Sequence, residues 1–165
     1  MTLPISIRTA AISLLLIAVG TTGFLFWSWQ PKRQVEKALQ RTLAAVENKD
    51  GVDLAAQIAN DYSDEWGFNR PQAVEYASQG LKQFFWITIV PQNTNIEIDG
   101  DTATITCNLL FEGHGTSLAQ IALDRAQALK EPFVFSFRRE SWKPWDWKIS
   151  SASQPEVQIN PNYLP

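Results

Sequence analysis

The stretch IEIDGDTATITCNLLF, residues 96–111, decides the fold. Ile96 and Ile98 alternate with polar residues up to Asp99-Gly100, a dipeptide that favours the left-handed backbone of a tight hairpin. Beyond it Ala103, Ile105, Cys107, Leu109 and Phe111 alternate with threonine and asparagine. Side chains on a strand point to opposite faces with period two, so this pattern predicts an antiparallel hairpin with one apolar face. Upstream, Trp86 to Val90 is β-rich, and Pro91 marks an edge or a bulge. Gly113-His114-Gly115 is expected to break the second strand. Downstream, Phe133, Phe135 and Phe137 alternate again. A loop at Ser141 to Pro144 leads to a closing strand with Trp145, Trp147 and Ile149.

The residues before the hairpin follow the helical period. Val35, Leu39, Leu43 and Val46 form one stripe after Pro31, fading at Asn48-Lys49-Asp50-Gly51. Asp53 is the predicted N-cap of a shorter helix over Leu54 to Ala59. Asp61 to Gly67 reads as a loop. Asn69 and Gln72 make a capping-box pair around Pro71. The third helix then presents Val74, Ala77, Leu81, Phe84 and Phe85 on its apolar face. Between the later strands, Ser117 to Lys130 is predicted to be a helical insert, with Leu118, Ile121, Ala122 and Leu129 at near-helical spacing. Helices first and antiparallel strands afterwards imply an α+β domain of about three helices packed on a curved sheet.

The N-terminus has a different character. Thr9 to Trp29 contains no charged side chain. As a helix it would span about 31 Å, the thickness of a bilayer core. Trp27 and Trp29 lie at its end, where amphipathic rings favour the membrane interface. A cleavable signal peptide is the weaker reading. Its apolar run is long, and cutting after Ala18-Val19-Gly20 would leave Phe24 to Trp29 at a soluble end. We therefore expect an anchor over residues 1–31, a domain over 32–153, and an extended polar tail from Gln154 with three prolines.

Roughly 130 residues after the anchor suffice for one core. Arg8 is the only charge before Lys32. Of the chain's 14 basic residues 13 therefore remain, against 17 acidic ones, a formal charge of −4. That balance argues against a nucleic-acid partner. One cysteine and one histidine make a zinc site untenable, and no cofactor motif is present. Lone Cys107 has no partner for an intramolecular disulfide and reads as an inert core residue. His114 reads as an exposed turn.

This order of elements resembles the nuclear transport factor 2-like superfamily over about Val35 to Ala152. The likeness rests on the three leading helices, Asp61-Tyr62 after the second, the hairpin, and the closing pair ending in Trp147-Lys148-Ile149. It is similar in particular to membrane-anchored bacterial members. The resemblance implies a cone of sheet and helices, and it implies no single reaction, because the superfamily hosts isomerases, dehydratases and binding modules. It also suggests a bacterial inner membrane. Lys32, Arg33, Lys37 and Arg41 favour a cytoplasmic domain by the positive-inside rule. The short tail before a first apolar segment argues for export, the side we expect.

Weak catalytic candidates are Asp61, Asp64 and Tyr62, with Glu65 beside them. A carboxylate against aromatic walls can carry a raised pKa and move protons. The plainer reading is a solvated loop whose acids cap backbone amides and titrate near about 3.9. Trp66, Trp86, Phe135, Trp142, Trp145 and Trp147 are candidates for an apolar ligand pocket or an interaction surface. Core packing is the competing role for most of them. Arg138 and Arg139 opposite Lys148 form a basic strip. The function expected is a membrane-anchored, non-catalytic domain for self-association as a homodimer, or for binding a protein partner or a small apolar ligand. The alternative is a cofactor-independent isomerase or lyase using a pocket carboxylate near Asp61 or Asp64. A filled cone would favour the first, an open cone with a buried acid the second.

Overall fold

A computed structural model describes residues 13–21 and 29–157. Helix α1 (Pro31–Glu47) carries its buried stripe on Val35, Ala38, Leu39 and Leu43. Helix α2 (Gly51–Gln57) follows, and α3 (Arg70–Leu81) completes the first layer. Then come β1 (Phe84–Asp99), β2 (Thr102–Gly115), α4 (Ser117–Gln127), β3 (Phe133–Arg139) and β4 (Trp147–Ser153). The four strands pair antiparallel in the order β1-β2-β3-β4. Helices on one face of an antiparallel sheet are the architecture that the sequence predicts.

The hairpin register is as the alternation requires. Ile96 lies opposite Ile105 and Ile98 opposite Ala103, with Gly100 at φ 58° in the turn. Ala103, Ile105 and Cys107 are buried with Phe137, Trp147 and Ile149 against α1 and α2. β1 is one strand, not two. A bulge between Gln92 and Asn95, with Asn93 at φ 52°, inserts a residue next to Pro91. The insertion lets Ile87 and Ile89 on one side of it, and Ile96 on the other, all reach the core although their numbers differ in parity. β1 is also the sheet edge, where proline costs no ladder hydrogen bond.

Several local expectations are corrected. The N-cap of α2 is Asp50, whose Oδ1 accepts from the Val52 and Asp53 N–H groups at 2.9 and 3.0 Å. Asp53 sits one turn further in. The capping box of Asn69 and Gln72 is formed. The apolar face of α3 ends at Leu81, however. Phe84 and Phe85 belong to β1, so they point to opposite faces, and Phe85 is 67% exposed. Gly113-His114-Gly115 continues β2 to its end. Both glycines lie against the start of β1, too close for a Cβ. The inserted helix α4 forms, capped by Thr116, but it buries Ala119 and Leu123 while Leu118 and Ile121 face solvent.

Among the described residues no helix is long and apolar enough to cross a membrane. Of the predicted span Thr9 to Trp29, residues 9–12 and 22–28 lie outside the described part, and residues 13–21 are helical and exposed. The predicted tail is described only over 154–157, where the chain turns and Gln154 is fully buried.

Candidate functional site

The space between helices and sheet is filled. Trp147, Phe137, Leu39, Ile105, Val35 and Cys107 are all less than 2% exposed and close the centre of the cone. The buried polar residues there and at its rim are Gln34, Thr42 and Gln154, and no carboxylate is among them. Cys107 is walled in by this packing, and burial pushes its thiol up to about 11, which disfavours the reactive thiolate. No group of three His, Cys, Asp or Glu side chains among the described residues is arranged to hold a metal ion.

The loop acids are engaged elsewhere. Asp61 accepts both guanidinium branches of Arg138, at 2.8 and 2.6 Å, and its side chain is 64% exposed. That hydrogen-bonded pairing holds its carboxyl below the ordinary 3.8, the opposite of what a proton shuttle needs and lower than a free loop carboxylate. Asp64 is a structural cap: it accepts from the Trp66 and Phe68 N–H groups and from the Tyr62 hydroxyl. Burial, and then the Asp64 charge, raise the Tyr62 phenol far above its usual value. Glu65 accepts from the Gln154 N–H. The basic strip is likewise spoken for. Arg138 and Lys148 face one another across β3 and β4, and both reach Glu140, while Arg139 pairs with Asp101.

A titration checks this assignment. The Asp61 carboxyl resonance should show its midpoint below 3.8 and return towards it in Arg138→Ala. A carboxylate whose folded pKa is depressed adds to stability above its unfolded value and loses that contribution as pH falls through the folded one. The midpoint of Asp61 staying put in Arg138→Ala would show that the ion pair does not set it.

The aromatic candidates do not converge. Trp147 and Phe135 belong to the core or its margin. Trp86 lies 52% exposed on β1. Trp66 donates from Nε1 to the Val157 carbonyl at 2.7 Å. Trp142 and Trp145 stand on the β3–β4 loop, exposed.

An apolar groove lies outside the cone. Between α4 and residues 154–157 runs a groove of about 770 Å³, lined by Leu118, Ile121, Ala122, Leu129, Phe133 and Val157, with Arg125 and Glu156 also in its wall. Its second wall is a strap stitched down by buried Gln154. That side chain donates to the Glu131 carbonyl at 3.1 Å and accepts from the Glu156 and Val157 N–H groups at 2.7 and 2.8 Å. Glu156 in turn accepts from the Lys130 and Glu131 N–H groups, so its charge is spent on closing the strap. Phe133 stacks beside Phe135 and meets Phe111 edge-on at the groove floor. Sequence reasoning missed this site. The available signal was the excess of apolar residues on α4, more than one buried stripe can hold.

No curated protein sequence matches the chain. Solved structures share its fold. A provisionally assigned dehydratase of the NTF2-like family from Streptomyces avermitilis is 18% identical, with a TM-score of 0.57 over 74% of this chain and 93% of that one. An NTF2-like protein from Cytophaga hutchinsonii is 16% identical, with a TM-score of 0.51 over 72% and 92%. A protein of unknown function with a cystatin-like fold from Nostoc punctiforme is 15% identical, with a TM-score of 0.55 over 81% and 93%. At such identities the likeness is one of fold alone. The sequence profile of the SnoaL-like domain matches residues 35–154, the whole of the cone from α1 to the buried Gln154, and the chain belongs to that family of NTF2-like proteins.

Proposed function

We propose that this is a membrane-anchored binding domain without catalytic machinery, and that it takes a small apolar molecule in the groove between α4 and the strap. The observation that carries this reading is the contrast between a cone interior filled by Trp147 and Phe137 and an apolar groove of about 770 Å³ beside it. That volume falls in the range of small-molecule sites, roughly 300–1,000 Å³. Arg125 at the rim favours a ligand with one acidic head group, such as a medium-chain alkyl carboxylate. The charge-free run Thr9 to Trp29 supports the anchor. The loop acids favour no reaction, because Asp61 and Asp64 are each held by partners outside any enclosed space.

The core is built from residues 35–149, so the piece 32–165 is expected to fold alone. Titrating it with dodecanoate should shift the NMR signals of α4, Phe133 and Val157. Ile121→Asp should weaken binding at least about tenfold, equivalent to ~1.4 kcal/mol, without altering the melt. Shifts confined to the sheet, or unchanged affinity in Ile121→Asp, would remove the groove from consideration. Carbonate washing should leave the full chain in membranes and release the piece.

A further inference from the structure

We infer that the loop between β3 and β4, residues 140–146, sits in the lipid interface of the membrane that anchors the chain. This rests on the anchor reading above. The orientation follows from hydrogen bonds. Glu47, at the end of α1, accepts the Ile89 N–H at 2.6 Å. Lys49, just past it, donates to the Phe84 and Phe85 carbonyls at 3.0 and 2.8 Å. The C-terminal end of α1 therefore lies at the start of β1. The far end of β1 turns at Gly100 into Thr102, which pairs with Arg138, and the Arg139 N–H donates to the Asp101 carbonyl at 2.8 Å. The 140–146 loop thus hangs from the sheet end towards which the start of α1 points. Arg41, part-way along α1, donates to the Trp145 carbonyl at 2.9 Å, which ties the loop to that helix. Ten residues of helix separate Arg41 from Pro31, about 15 Å. Pro31 is two residues past the charge-free run.

The loop has the chemistry of an interface. It reads Trp142-Lys143-Pro144-Trp145. Trp142 is 85% exposed and Trp145 46%, a poor arrangement in bulk water and a favourable one at the head-group level. Lys143 and, on α1, Lys32, Lys37 and Arg41 add charge suited to anionic head groups. Of the acids at this end, Asp61, Asp101 and Glu140 are paired with arginine or lysine, leaving Glu36, Asp99 and Asp146. A bilayer is the occupant that fits, because the chain itself brings one within about three helical turns of the exposed rings.

The test uses the full chain in vesicles of phosphatidylcholine and phosphatidylglycerol carrying nitroxide-labelled lipid. An environment-sensitive fluorophore is attached at Trp142→Cys and, as control, at Val52→Cys. Val52 is as exposed but lies at the opposite end, in the first turn of α2. Cys107 is buried and stays unlabelled. The expected result is several-fold stronger lipid quenching at position 142 than at 52. Equal quenching in protein that resists carbonate overturns this proposal and leaves the anchor standing. Release by carbonate overturns both. A blue shift at 142 without lipid quenching means that protein covers the loop, and it also overturns the proposal.

Discussion

Trp147→Ala should lower the unfolding free energy of the domain by about 3–5 kcal/mol, the usual cost of emptying a large aromatic site in a packed core. Trp147 is 1% exposed, its Nε1 donates to the Pro144 carbonyl at 3.0 Å, and the Arg139 guanidinium lies 5.9 Å from its ring. The alanine variant leaves a void between β4 and the helices and a carbonyl without its donor. Since a domain of this size has about 5–15 kcal/mol in hand, much of the fold is at stake. Thr104, on the opposite face of β2, is partly exposed, and Thr104→Ala should cost no more than about 0.5 kcal/mol. Urea unfolding of residues 32–165 measures both. Equal losses would contradict the register in which β2 and β4 turn Ile105 and Trp147 to the same side.

Gly115→Ala should be the second severe change. Gly115 ends β2 opposite Phe84, directly before the cap of α4. A Cβ there would stand 2.7 Å from the Ala119 Cβ and 2.8 Å from the Phe84 Cα, and one of these neighbours is backbone. Strand and helix must separate, at a cost of about 1–3 kcal/mol or more. Gly80, in the last turn of α3, has open space around it, with nothing within 4 Å of where a methyl would stand, so Gly80→Ala should instead stabilise by about 0.4–1 kcal/mol. The opposite signs of these two glycine substitutions, read from thermal melts, check the packing of α4 on the hairpin.

The elements whose signal is local are legible in the sequence. The Asn69 and Gln72 capping box, the Asp99-Gly100 turn and the alternation from Ala103 to Cys107 each involve residues within a few positions of one another. Where two local rules competed, the nearer one misled. Asp53 has the chemistry of a cap, but Lys49 in the left-handed region delivers Asp50 to that position first. In α4, Leu118 and Ile121 are the larger apolar residues, yet small Ala119 is what fits against the end of β2. The ion pair of Asp61 with Arg138 joins positions 77 apart, and the groove joins α4 to Glu156 and Val157. No periodicity encodes such meetings. They arise only once the sheet has fixed where each loop leaves.

The strap also sets a time order on the molecule. Residues 154–157 form the groove's second wall, and they follow every strand and helix of the cone. The buried core ends at Ile149, so the residues that build it precede this wall in the chain. A ligand in the proposed groove would therefore touch the last-made part of the domain. Binding there would stabilise the folded domain by mass action, to the extent that the ligand prefers it to the unfolded chain.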